Sequence, residues 1–134
     1  MTARTRRTRA EPYVPSILVV DDDPQIRTLF RRILEEAGYL VIDAASGRDA
    51  HKAASEWLFE LMILDLSMPH EDGFEVIRAM RTSAPDLKIL VVSDFMGGRM
   101  LPVAIKLGAA ATMNKAEARD RLLVQVCQLL AEPY

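Results

Sequence analysis

The chain has 134 residues, half of them apolar and 27% charged, with a net charge of −2. That length suits one packed core rather than two folded units, and the near-neutral charge argues against a disordered acidic chain or a strongly basic nucleic-acid binder. A single cysteine, Cys127, excludes an intramolecular disulfide, and no apolar run approaches the ~20 residues that cross a bilayer, so the expected setting is a reducing cytoplasm without a membrane span.

Residues 1–16 carry Arg4, Arg6, Arg7 and Arg9 against Glu11 and show no helical or strand periodicity, which predicts a disordered basic arm. The body that follows is acidic, with 13 basic and 18 acidic residues. It opens with the apolar run Ile17 to Val20, closed by Asp21, Asp22 and Asp23. Ile26, Leu29, Phe30, Ile33 and Leu34 then fall at helical spacing, with Asp23 placed to cap the helix, Pro24 at its first position and Gly38 just past its end.

The same alternation of strand and helix recurs. Tyr39 to Ile42 reads as a strand, Gly47 to Trp57 as a helix, and Leu61 to Leu64 as a strand ending at Asp65. A helix over 74–81 follows the Asp72-Gly73 turn, and the strand Ile89 to Val92 ends at Ser93. Pro102 starts a short helix closed by Gly108, residues 111–114 form a fifth strand, and Leu122, Val126, Leu129 and Leu130 give the inward stripe of a last helix. Strands that are continuously apolar belong to a parallel sheet covered on both faces, which makes the fold class α/β, a doubly wound sheet over residues 17–131. Such sheets bind ligands beyond the carboxyl ends of their strands.

Those ends carry Asp21 and Asp22, then Asp65, Ser93 and Lys115. Three carboxylates in one crevice repel one another unless a cation joins them, and Mg²⁺ suits an oxygen-rich site of this kind. Lys115 supplies a second positive charge for a carboxylate or a phosphoryl oxygen. The combination points to phosphoryl transfer.

These residues resemble the receiver domain of two-component response regulators, the CheY-like family. The resemblance is carried by Ile17-Leu-Val-Val-Asp21-Asp22-Asp23-Pro24, by Leu61-Met-Ile-Leu-Asp65-Leu-Ser-Met-Pro69-His-Glu-Asp-Gly73, by Ile89-Leu-Val-Val-Ser93 and by Lys115, all in order. It implies a five-stranded parallel sheet in the order 2-1-3-4-5 with five helices, an order for which a family member is a known example. It also implies that Asp65 takes a phosphoryl group from a phosphohistidine of a sensor histidine kinase or histidine phosphotransfer protein. Mg²⁺ would be held by Asp22 directly, by Asp21 through water, by Asp65 and by the Ser67 carbonyl. Ser93 and Lys115 would contact the phosphoryl oxygens. The domain would be a switch that phosphorylates and dephosphorylates itself, signalling by contact with a downstream protein and not by binding DNA.

Three positions depart from the family pattern. Thr112 stands where an aromatic commonly moves on activation, Ala116 where proline commonly follows the lysine, and Asp94 where the residue after the hydroxyl is commonly small. A second charge near an incoming dianion repels it, so Asp94 is expected to slow phosphorylation. Without proline, the Lys115–Ala116 bond is expected to be trans and its loop shifted. Without a large ring at 112, the segment from Asp94 to Gly98 and the start of the helix at Pro102 are expected to carry the response.

Other polar and reactive residues have plainer readings: Asp43 as a loop acid, His70 as a solvated loop histidine, His51 as lacking a catalytic neighbour, Cys127 as packing and Trp57 as core or rim. Two rival functions remain at this level. One is an interaction module of the same fold that needs no phosphate. The other is a magnesium phosphatase with an aspartyl nucleophile, against which stands Ser67 where such enzymes place a second Asp.

Overall fold

A computed structural model describes residues 13–132; the predicted basic arm lies outside the described residues as far as residue 12. The elements are β1 (Ser16–Val20), α1 (Pro24–Glu36), β2 (Leu40–Ala44), α2 (Gly47–Glu56), β3 (Leu61–Leu64), β4 (Ser67–Met68), β5 (Glu71–Asp72), α3 (Gly73–Ser83), β6 (Lys88–Val92), α4 (Leu101–Leu107), β7 (Ala111–Met113) and α5 (Lys115–Ala131). Five strands form one parallel sheet in the order β2-β1-β3-β6-β7, the topology expected from the resemblance.

Alternation along each strand decides which helices cover which face. Leu18, Val20, Met62, Leu64, Ile89 and Val91 point to one side, where they pack with Ala50 of α2, Val76, Ile77 and Met80 of α3 and Ala104 of α4. Ile17, Val19, Leu61, Ile63, Leu90 and Val92 point to the other, against Phe30 and Leu34 of α1 and Leu122, Val126 and Leu129 of α5. Every residue of β1 and β3 is therefore buried, which is why these strands read as unbroken apolar runs. Each fully buried aliphatic side chain contributes about 1.5–3 kcal/mol relative to exposure, so the register is strongly fixed in the sheet centre.

Local signals set the helix ends. Asp23 Oδ1 accepts from the Gln25 N–H at 2.9 Å, Pro24 is the first helical residue, and Gly38 takes φ +96° after α1, as the sequence predicts.

Several boundaries and assignments differ from the sequence reading. Ser16, counted with the arm, is already in β1, because Leu40 and Glu60 N–H groups donate to the carbonyls of Pro15 and Ser16 and extend the sheet. β2 runs to Ala44, so Asp43 is a strand residue and not a loop acid; it ion-pairs with Arg27 at 3.0 Å and Arg31 at 2.7 Å. Trp57 caps α2 from outside the helix, and Pro102 is the second residue of α4. Cys127 is exposed, with its Sγ 3.3 Å from the Tyr39 hydroxyl, because the inward stripe of α5 passes through Val126 instead. The small hairpin β4–β5 was not anticipated: two-residue strands leave no periodicity to read. Its turn places His70 at φ +61°, exposed.

Candidate functional site

Asp21, Asp65 and Ser93 each lie one residue past the end of their strand, yet each still belongs to the sheet through its main chain. The N–H of Asp21 donates to Ala44 O at 3.1 Å, that of Asp65 to Val20 O at 3.0 Å, and that of Ser93 to Met113 O at 3.0 Å. Ladder bonds from neighbouring strands thus fix three polar side chains at the carboxyl edge, while the apolar residues before them are locked in the core. All three are buried.

Around them the carboxylates converge. One carboxylate oxygen each from Asp21, Asp22 and Asp65 lie within 4.8 Å of one another, Asp22 being the exposed member. Asp23, at the helix cap, is outside this group, as expected. Turn amides orient the two buried acids: the Asp23 N–H donates to Asp21 Oδ1 at 2.9 Å, and the Ser67 N–H to Asp65 Oδ1 at 3.2 Å. Lys115 then spans both, its Nζ 2.9 Å from Asp21 Oδ2 and 3.2 Å from Asp65 Oδ2.

The charges are unequal in number. Burial pushes the Asp21 carboxyl above its ordinary value of 3.8, against the opposing pull of the Asp23 N–H and Lys115, and the neighbouring Asp65 charge adds to the rise. For Lys115, burial alone would lower the ammonium, but the hydrogen bond and charge of Asp21, followed by Asp65, outweigh it and raise the group above 10.5. One ammonium facing three acids leaves an excess of negative charge in a partly buried cleft. A hard divalent cation fits that donor set, since it takes carboxylate, carbonyl and water oxygens.

The Ser93 hydroxyl oxygen accepts from the Phe95 N–H at 3.1 Å, at the same edge. Ser67 is exposed and its backbone adjoins Asp65. Thr112 is half-buried in β7, and the Lys115–Ala116 bond is trans, with α5 starting at Lys115 itself. Asp94, whose charge is expected to slow phosphorylation, is hydrogen-bonded: its Oδ1 accepts from the Lys115 backbone N–H at 3.0 Å.

Three supporting contacts escaped the sequence. The Arg27 guanidinium donates to the Asp21 carbonyl at 2.7 Å while pairing with Asp43, tying α1 and β2 to the site. Glu71 of the hairpin accepts from the Gly47 N–H at the start of α2, and a Cβ at Gly47 would lie 2.4 Å from that carboxylate. A Cβ at Gly73 would lie 2.5 Å from the Leu66 backbone, so only glycine lets the chain after Asp65 fold back this closely. The Asp72-Gly73 pair was a visible turn signal; the partners of Arg27 and Glu71 had no local one.

Comparison with known proteins agrees with this geometry. The family model described as response regulator receiver domain matches residues 17–127. Response regulator MprA of Mycolicibacterium vanbaalenii is 37% identical over 116 residues, covering 85% of this chain and 49% of that protein. The alginate biosynthesis transcriptional regulatory protein AlgB of Pseudomonas putida is 32% identical over 114 residues, covering 85% of this chain and 25% of its own length. The chain spans from a quarter to little more than half of the curated relatives it matches. Among solved structures, response regulator protein TrrA from Thermotoga maritima in complex with Mg²⁺-BeF is 33% identical with a TM-score of 0.77, covering 87% of this chain and 99% of that one. A CheY-like receiver domain protein from Methanospirillum hungatei is 26% identical with a TM-score of 0.82, covering 88% and 94%.

Proposed function

The chain belongs to the response regulator receiver domain family, a family of phosphoacceptor signalling domains, and on that premise we propose that Asp65 is the acceptor, charged by a phosphohistidine of a sensor kinase or phosphotransfer protein. The observation that carries this reading is the convergence of Asp21, Asp22 and Asp65 at the carboxyl edge, with Lys115 paired to Asp21 and Asp65. An Asp65 oxygen attacks phosphorus in line as the P–N bond to the donor imidazole breaks, and the imidazole nitrogen takes a proton from solvent. The sheet holds the nucleophile in place, and Lys115 neutralises charge on the equatorial oxygens. Ser93, with its oxygen already accepting from Phe95, has its hydroxyl hydrogen available for a phosphoryl oxygen.

Asp21, Asp22 and Asp65, with the Ser67 carbonyl, would hold Mg²⁺, which when bound neutralises the two reacting anions. TrrA, a 33% identical relative, was solved in complex with Mg²⁺-BeF, which supports a magnesium site in this chain. Self-catalysed phosphorylation and hydrolysis would make the domain a switch rather than a turnover enzyme. It would signal through contact with a downstream protein, and any DNA binding would belong to other domains, as the transcriptional regulators among its relatives suggest. No helix among the described residues is long and apolar enough to cross a membrane, and we place the domain in the cytoplasm beside its kinase.

Mass spectrometry after incubation with phosphoramidate and Mg²⁺ tests the assignment. Wild type should gain the mass of one phosphoryl group and Asp65→Asn none; equal uptake by both would place the acceptor elsewhere.

A further inference from the structure

Lys115 is gripped at both of its ends by carboxylates from three different strand ends. Its ammonium meets Asp21 after β1 and Asp65 after β3, and its main-chain N–H meets Asp94 after β6. The second grip answers a specific need. Lys115 is the first residue of α5, so its N–H is one of the donors without an intrahelical partner. Glu117 turns back to the neighbouring Asn114 N–H at 3.3 Å and does not serve Lys115. Asp94, reaching across from the loop after β6, accepts the hydrogen bond from Lys115 and sets a carboxylate at the positive end of the helix dipole.

Where the Lys115 backbone sits decides what its side chain can span. Nζ reaches two buried carboxylates at once, and a misplacement of about 1 Å in such an arrangement can cost about 100-fold in rate. We propose that Asp94 is a positioning residue for phosphoryl transfer, fixing through the Lys115 main chain the point from which Nζ bridges Asp21 and Asp65. The inference rests on Asp65 being the acceptor. It brings together two departures from the family pattern: Ala116 lies in the first turn of α5, and the helix start at Lys115 presents the N–H that Asp94 accepts. Asp94 acts through Lys115, and its charge is turned toward a helix terminus.

The test uses the full chain as wild type, Asp94→Ala and Asp94→Asn. Amide hydrogen exchange at Lys115 is read without any phosphodonor. The rate of Asp65 phosphorylation by phosphoramidate is read at saturating Mg²⁺, with thermal midpoints recorded alongside. Asp94→Ala should speed Lys115 exchange and slow phosphorylation about tenfold, the rate equivalent of one lost hydrogen bond. Asp94→Asn, whose amide oxygen accepts the same bond, should stay within about twofold of wild type in both readouts. A rate for Asp94→Ala equal to or above wild type overturns the proposal, because charge repulsion then outweighs positioning. Asn as slow as Ala also overturns it, since the effect would follow charge or general stability and not the hydrogen bond. Unchanged Lys115 exchange in Asp94→Ala, with wild type phosphorylating normally, sinks the positioning role alone; failure of wild type to take up phosphate removes the acceptor assignment and the role with it.

Discussion

The two halves of the sheet edge are built differently. On the side of β1 and β3, every strand residue is buried, and Asp21 and Asp65 are each held by a ladder N–H and by a turn amide. On the side of β6 and β7, Ser93 is equally buried, but the chain beyond it is irregular. The turn Phe95–Gly98 places Met96 at φ +55°, Gly97 at +66° and Gly98 at +83°, β7 has three residues, and α4 has seven. The proposed nucleophile and metal ligands thus sit on the rigid half, while the residues that would report on a bound phosphoryl group lead into the deformable half. Strain in a non-glycine residue such as Met96 costs on the order of 1 kcal/mol or more and favours a segment with a second accessible conformation. Lys115 connects the halves, because its side chain serves one and its backbone the other.

The largest expected effect strikes the rigid half. Lys115→Ala should slow phosphorylation of Asp65 by about 100-fold, the scale of losing one preorganised electrostatic donor, and stopped-flow kinetics with phosphoramidate would show it. A change below about threefold would mean that the cation matters only to the unphosphorylated acids.

Metal binding should separate neighbours in the same turn. Mg²⁺ at about 100 times its dissociation constant should stabilise the chain by about 2.7 kcal/mol, read from thermal melts. Asp22→Ala should weaken Mg²⁺ binding more than Asp23→Ala, whose side chain caps α1. Equal effects would overturn the ligand assignment.

Asp21 adds a pH dependence with a definite sign. Its carboxyl is raised by burial above 3.8, so the folded chain binds that proton more tightly than the unfolded one. Stability of the metal-free protein should therefore fall, relative to Asp21→Asn, as pH rises from 3.8 through the raised value. Saturating Mg²⁺ should reverse that difference above the window. A parallel pair of melting curves across the window, with and without Mg²⁺, would contradict the burial argument.

The deformable half should respond to occupancy of the site. Beryllofluoride with Mg²⁺ should alter hydrogen exchange from Asp94 to Gly98 and at the start of α4, leaving β1 and β3 unchanged. An effect confined to residues 111–113 would show that Thr112 still carries the response. The smallest change is Gly98→Ala: at φ +83°, with a Cβ placed 2.5 Å from Asn114 Oδ1, it should cost about 1 kcal/mol in denaturant melts. It should also damp the exchange response.

What the sequence by itself determined was whatever leaves a local trace. Apolar runs of four residues specify buried strands, the polar residue closing each run specifies what stands at the sheet edge, and Asp23-Pro24 and Gly38 bound the first helix. Asp21, Asp22, Asp65, Ser93 and Lys115 were legible for that reason. Tertiary structure decided where polar side chains point once neighbouring strands and helices pack. Asp94 could be seen as a charge near the acceptor, but the backbone donor it pairs with lies 21 residues along the chain. Asp43, Arg27 and Glu71 likewise found partners 16, 6 and 24 residues distant. Helical spacing set Val126 in the inward stripe and left Cys127 beside it, and only the seating of α5 on the sheet turned the thiol outward. Periodicity encodes burial because the hydrophobic effect is non-directional, whereas a hydrogen bond needs a distance and an angle that the assembled fold alone supplies.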